Sequence, residues 1–293
     1  MPSISEVSTT KPTNFDAYWN DVLEELAAVP AAPTLEPLPI RSTEFATCYS
    51  LSLTSIGPYR LYAYYSVPHG DGPFPAILHT PGYASVVGVP PFEERQRYVS
   101  MALCARGQRL ADKPFAASYP GLAVVGIDEP TTYVYRGIIA DTVRAIDFLL
   151  SRREVNSRQI TLTGGDTALI GAALRPQVAT VMATDPAFYA ARDLARLNHA
   201  YPTEEWNEYA RAYPEREAAM WTTLSYFDPI CFAPRIRANV RLSIGPANAP
   251  FNRQTAEPLA RAIAGQVDID ERTGYGYLDS RRAITWRDGH AGG

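Results

Sequence analysis

Apolar and polar positions recur along the chain with two periods. Phe15, Trp19, Val22, Leu23 and Leu26 fall at helical spacing behind Asn14, so an amphipathic helix is expected over 15–29 with Asn14 as its N-cap. Pro30, Pro33, Pro37 and Pro39 then read as an extended linker. Alternating segments at 47–54 and 59–67 flank Gly57-Pro58 and read as an antiparallel hairpin at a sheet edge. Short apolar runs at 76–79, 99–105, 160–163, 180–184, 240–244 and 283–286 read as core strands, and 141–150 as a helix with Val143, Ile146, Leu149 and Leu150 on its apolar face. Strands alternating with helices imply a mostly parallel sheet covered on both faces. Residues 187–222 hold a polar, Glu- and Tyr-rich helical stretch that reads as a lid inserted after a core strand. The whole chain reads as one α/β domain with an N-terminal helical extension over 12–30.

The run Ile160-Thr161-Leu162-Thr163-Gly164-Gly165-Asp166-Thr167-Ala168 changes the picture. A buried strand, a glycine turn and a helix start form the strand–elbow–helix context that presents a nucleophilic serine in α/β-hydrolases. Here the elbow residue is Asp166. A carboxylate there acts as a base or as an alkylation-type nucleophile, not by the Ser–His acyl route. Two readings stand: a chemical group, or a helix cap left by a degenerate elbow.

Composition narrows the classes. The 293 residues are 46% hydrophobic, enough for a full core, with net charge −4. That charge offers no basic stripe for nucleic acid. Cys48, Cys104 and Cys231 fit neither a disulfide framework nor a zinc pattern, and read as buried free thiols. The polar N-terminus and the lack of a long apolar run point to a cytoplasmic protein without a membrane span. No metal or cofactor is expected.

Several motifs in order carry a resemblance. They are Phe15-Asp16-Ala17-Tyr18-Trp19, Pro81-Gly82-Tyr83, Arg106-Gly107-Gln108, Tyr119-Pro120-Gly121, Tyr133-Val134-Tyr135-Arg136-Gly137, Thr163-Gly164-Gly165, Thr223-Leu224-Ser225-Tyr226-Phe227-Asp228 and Gly289-His290-Ala291-Gly292-Gly293. The chain resembles the acetyl xylan esterase and cephalosporin-C deacetylase family, the seventh carbohydrate esterase family. The resemblance implies an α/β-hydrolase fold, an acetyl-sized acyl pocket and a homo-oligomer. It also implies that His290 is the retained catalytic histidine, and that Tyr83, Gln108 and the Thr167 N–H line the site, with an oxyanion hole from the N–H groups of Thr167 and Tyr83. The departures are as informative. The family's Gly-Gly-Ser-Gln-Gly-Gly becomes Gly164-Gly165-Asp166-Thr167-Ala168-Leu169, and Pro246 falls where the triad acid stands. A substitute acid partner for His290 is Asp185, after the next core strand. The family carries a helix after its histidine, which this reading does not find.

Around that site, His79 and His199 read as packing or lid residues and His69 as a solvated turn residue. Arg106 reads as one half of a structural ion pair. Tyr133, Tyr135 and Arg136 read as packing, and Phe188, Tyr189, Trp206 and Trp221 as an apolar lid. Three functions follow. The first is a lyase that eliminates acetate from an O-acetylated small molecule to give an alkene, with Asp166 or His290 as base. α/β-Hydrolase-fold enzymes of tetronate and spirotetronate antibiotic pathways work this way. The second is a hydrolase using Asp166 as nucleophile with His290 activating water, or an acetyl esterase rebuilt around Asp166. The third is a catalytically silent binding relative.

Overall fold

The computed structural model describes residues 8–83, 86–113, 117 and 121–290. The motif residues Tyr119, Pro120 and 291–293 lie outside them. Nine strands form one sheet in the order β1-β2-β3-β5-β4-β6-β7-β8-β9. They are β1 (Thr34–Pro37), β2 (Ala46–Ser55), β3 (Tyr59–Pro68), β4 (Phe74–His79), β5 (Val99–Cys104), β6 (Val155–Gly164), β7 (Thr180–Thr184), β8 (Asn239–Ile244) and β9 (Val267–Glu271). Pairing is antiparallel from β1 to β5 and parallel from β5 through β9. This is the α/β-hydrolase fold with one added edge strand.

The helices are α1 (Phe15–Ala28), α2 (Val134–Leu150), α3 (Asp166–Leu174), α4 (Ala191–Leu194), α5 (Thr203–Ala212), α6 (Glu217–Ser225), α7 (Pro229–Phe232), α8 (Arg253–Ala262) and α9 (Gly276–His290). Helix α3 is buried along its whole length, as expected of a helix apolar all round. It packs against α2, where Gly171 lets Ile146 and Leu162 approach. Helix α9 covers the opposite face beside Ile77, Thr163 and Met182. Four short helices, α4 to α7, fill the segment between β7 and β8.

The amphipathic helix is present as α1, with Phe15, Trp19, Val22 and Leu26 buried. Asn14 occupies the N-cap position but does not cap; its Oδ1 accepts from the Tyr226 hydroxyl instead. The proline linker supplies β1, so the hairpin lies one strand in from the edge. The run 283–286 is helical, inside α9. The last strand is instead Val267-Asp268-Ile269-Asp270-Glu271, whose alternation was the better strand signal. Helix α2 begins seven residues ahead of Asp141, which lies buried within it.

Asp141 anchors Arg106, whose Nε and Nη2 donate to its two oxygens at 2.9 and 2.7 Å. Gly137 is needed there, because a Cβ would meet the Arg106 guanidinium. The side chain of Asp141 is fully buried and that of Arg106 is 14% exposed. Breaking such a pair leaves an uncompensated buried charge. Asp141→Ala should therefore lower stability by about 3–5 kcal/mol in urea denaturation. An Arg106→Met, Asp141→Leu double variant should lose much less.

Candidate active site

Strand order reverses around β4: β5 lies on one side of it and β6 on the other. The carboxyl ends of strands at such a switch point are where open α/β sheets bind ligands. Two loops meet there, Pro81-Gly82-Tyr83 after β4 and Gly164-Gly165-Asp166 after β6. A Cβ on Gly164 would collide with Thr80 Oγ1, and one on Gly165 would come within 3.2 Å of the Thr184 carbonyl oxygen. The glycines thus let the elbow nest against β4 and β7. Thr167 Oγ1 donates to the Pro81 carbonyl at 2.9 Å and lies within hydrogen-bond distance, 2.8 Å, of Thr80 Oγ1. Buried Gln108 accepts from the Ala105 N–H at 2.9 Å and donates to the Gly82 carbonyl at 3.2 Å. Gln108 therefore shapes the β4 loop from behind.

Asp166 starts α3 with a negative φ; the non-glycine residues with positive φ among those described are Ala32, Leu110, Asp185 and Ala190. The elbow has relaxed into a helix N-terminus. Its carboxylate accepts from the Ala187 N–H at 2.7 Å and the Phe188 N–H at 3.0 Å, in the loop after β7. Burial pushes this carboxyl up to about 7, against the downward pull of those two N–H groups, and the Asp228 carboxylate adds to the rise. Asp228 is itself buried and pushed up to about 6 by burial. It accepts from Thr9 Oγ1, the Ala190 N–H and the Ile230 N–H. Two buried carboxylates thus hold the 187–190 loop from opposite ends.

Asp166 is only 9% exposed, but it borders a cavity of about 340 Å³ together with Tyr83, Tyr135, Thr167, Phe188 and Pro202. A second cavity of about 350 Å³ shares Asp185, Ala187 and Pro202 with it and is also lined by Arg272. Tyr135 was expected to pack; it does, edge-on to Phe188 at 4.6 Å, and it also lines the first cavity. Of the expected lid residues, Trp206 is wholly buried and donates to the Ala123 carbonyl. Among the described residues no three or more His, Cys, Asp or Glu side chains gather as a metal site. The three cysteines are buried and free, and no described helix is long and apolar enough to cross a membrane.

Asp166, Thr167 and Tyr83 are brought together as expected. His290 is not. It ends α9, with its ring stacked on Trp286 at 4.2 Å and its Nδ1 2.7 Å from the Trp286 carbonyl. Its nearest carboxylate, 3.8 Å away, is Asp268 on β9. That strand lies three strand spacings from β6, or about 14 Å across the sheet. The reason is the missed strand. A helix follows the histidine in the family, and α9 precedes His290, so the matching loop is Arg272-Thr273-Gly274-Tyr275. Asp185 is not an acid partner for His290 either. It pairs with Arg272, Nη2 to Oδ2 at 2.7 Å, and not with a histidine. None of the chain's four histidines lines the Asp166 cavity. His79 pairs with Glu94 and His199 with Glu204.

A family model for acetyl xylan esterase (AXE1) matches residues 5–250. The acetyl esterase Axe7A of Xylanibacter ruminicola is 24% identical over 266 residues, which cover 83% of this chain and 58% of that protein. The chain thus spans well under two thirds of that curated relative's length. The acetyl xylan esterase from Paenibacillus sp. R4 superposes with a TM-score of 0.85 at 23% identity, covering 98% of this chain and 97% of its own. Acetyl xylan esterase 1 from Thermoanaerobacterium sp. JW/SL YS485 gives 0.82 at 24% identity, covering 94% of each chain. The fold, the elbow at the switch point and a family match over most of its length together establish that this chain belongs to the acetyl xylan esterase (AXE1) family.

Proposed function

We propose that the protein acts on an acetyl ester of a small molecule and that Asp166 is its acid–base group. The observation that carries this is the position of the Asp166 carboxyl: at the nucleophile station, bordering the cavity, and titrating near neutrality. A carboxylate has about four lone-pair directions, so accepting from Ala187 and Phe188 leaves others for a substrate or water. The Thr167 N–H belongs to the first turn of α3, where N–H groups have no partner within the helix. With the Tyr83 N–H it forms the oxyanion hole for the acetyl carbonyl.

In the hydrolytic reaction, Asp166 takes a proton from water as the water oxygen attacks that carbonyl. The tetrahedral intermediate collapses, and the proton passes from Asp166 to the departing alcohol oxygen. No acyl-enzyme forms. An alkyl-enzyme route through Asp166 is less well supported, because its second half needs a histidine base and none lines the cavity.

Elimination of acetate is the second reading, and the same lack of a histidine favours it. One carboxylate suffices to remove a proton from the carbon beside the C–O carbon; the C–H electrons form the alkene, and acetate leaves into the same N–H pair. An O-acetylated tetronate is its natural probe. Product mass separates the two: free alcohol plus acetate for hydrolysis, or an alkene lighter by one water. If no acetylated substrate is turned over and Asp166→Asn changes nothing, a silent binding relative stands instead.

Three outcomes are expected. Turnover should rise with pH through about 7 as Asp166 loses its proton, and Asp166→Asn should lower kcat/KM by about 10²-fold or more; a parental rate in that variant excludes Asp166. Asp166→Ser should gain no hydrolysis of 4-nitrophenyl acetate over Asp166→Ala, because no histidine lines the cavity to activate the serine. Stability carries the third. The carboxyl sits at about 7 when folded against an ordinary value of 3.8. The folded state then holds the extra proton between those values, so stability falls as pH rises across that window. Melting curves of Asp166→Asn should show a shallower fall, the remainder coming from Asp228.

A further inference from the structure

Two exposed tyrosines meet where the Asp166 cavity adjoins the second cavity. Tyr83, 37% exposed, comes from the loop after β4 and lines the cavity. Tyr201, 56% exposed, comes from the turn before α5 and lines the adjoining cavity, while its neighbour Pro202 lines both. Their rings are nearly parallel, with planes 11° apart and centroids 6.4 Å apart. Other ring pairs among the described residues meet edge-on or tilted; the one further parallel pair, Trp286 and His290, is closed at 4.2 Å. A planar ring seated between the two faces, in contact at about 3.5 Å with each, would need the planes about 7 Å apart, which two exposed side chains on separate loops can reach by turning outward.

We propose that Tyr83 and Tyr201 form a slot for a planar unsaturated ring on the alcohol side of the substrate, with the acetyl group directed at Asp166. The inference rests on the acetyl-ester reading above and adds the class of alcohol: a flat, conjugated or aromatic ring in place of a sugar chair. Three features support it. The rings are presented by separate loops, so the slot is built where the two cavities adjoin. Their polarised faces favour a flat partner. The adjoining cavity of about 350 Å³ leaves room for what the ring carries. Tyr83 then contributes its N–H to the acetyl carbonyl and its ring to the alcohol.

An unreactive probe tests the slot apart from the chemistry. 2-Acetylnaphthalene presents an acetyl group on a planar ring without an ester bond; cyclohexyl methyl ketone presents it on a chair. Titration by calorimetry or ligand-observed NMR should show the planar ketone binding the wild type. Tyr201→Ala should weaken that binding about tenfold and Tyr201→Phe by less than about twofold, as loss or retention of a stacking face requires. The cyclohexyl ketone should bind more weakly and be indifferent to either change. No binding of the planar ketone overturns the slot. So does equal binding by wild type and Tyr201→Ala, an equal Tyr201 dependence of the cyclohexyl ketone, or tighter Tyr201-dependent binding of an acetylated xyloside. If Tyr201→Ala melts early, Tyr201→Leu replaces it. Asp166→Asn separates the two claims: turnover unchanged in it removes the acid–base reading while the ketone binding still decides the slot.

Discussion

The site is organised around the two hydrogen bonds that the Asp166 carboxylate accepts from Ala187 and Phe188. They join the turn after β6 to the loop after β7, the two carboxyl ends that wall the cavity. A serine hydroxyl cannot accept from both N–H groups while projecting as a nucleophile. The carboxylate can, and the elbow then settles with a negative φ as the first turn of α3. Strain that a serine enzyme stores at this residue is absent here. What remains is a carboxyl group short of water, and burial raises its affinity for a proton.

Among the described residues, the neighbouring loops carry no Ser–His–Asp relay either. The loop after β9 presents Arg272 and commits it to Asp185. Both residues of that pair line the adjoining cavity. Asp185 and Ala190 carry positive φ, the first just before and the second at the end of the loop that Asp166 and Asp228 hold. A buried carboxylate at each end of four residues is a stiff arrangement, and Phe188, in the middle, forms part of the cavity wall.

The sequence made the fold legible because long periodic segments dominate it: the hairpin of β2 and β3, the seam of α1 and the uniform apolarity of α3 each admit one assignment. The errors lie in short segments. Residues 283–286 are apolar for too few positions to separate a strand from one side of a helix. The alternation in Val267–Glu271 was hidden by its acidic partners, Asp268 and Asp270, which serve Trp286 and Arg241. Missing that strand moved the histidine match past a whole helix, which is why Asp166 was legible and His290 was misplaced. Tyr201 and Arg272 carry no local signal; only the folded loops bring them to the cavity.

The direct test is the titration of one group. Protein labelled with ¹³C at the aspartate carboxyl carbons, compared with the Asp166→Asn variant, identifies the Asp166 resonance by its loss. That resonance should titrate with a midpoint near 7, well above its ordinary value of 3.8. A midpoint in the ordinary carboxylate range would leave Asp166 ionised and poorly basic at neutral pH, and would contradict its assignment as the acid–base group of this site.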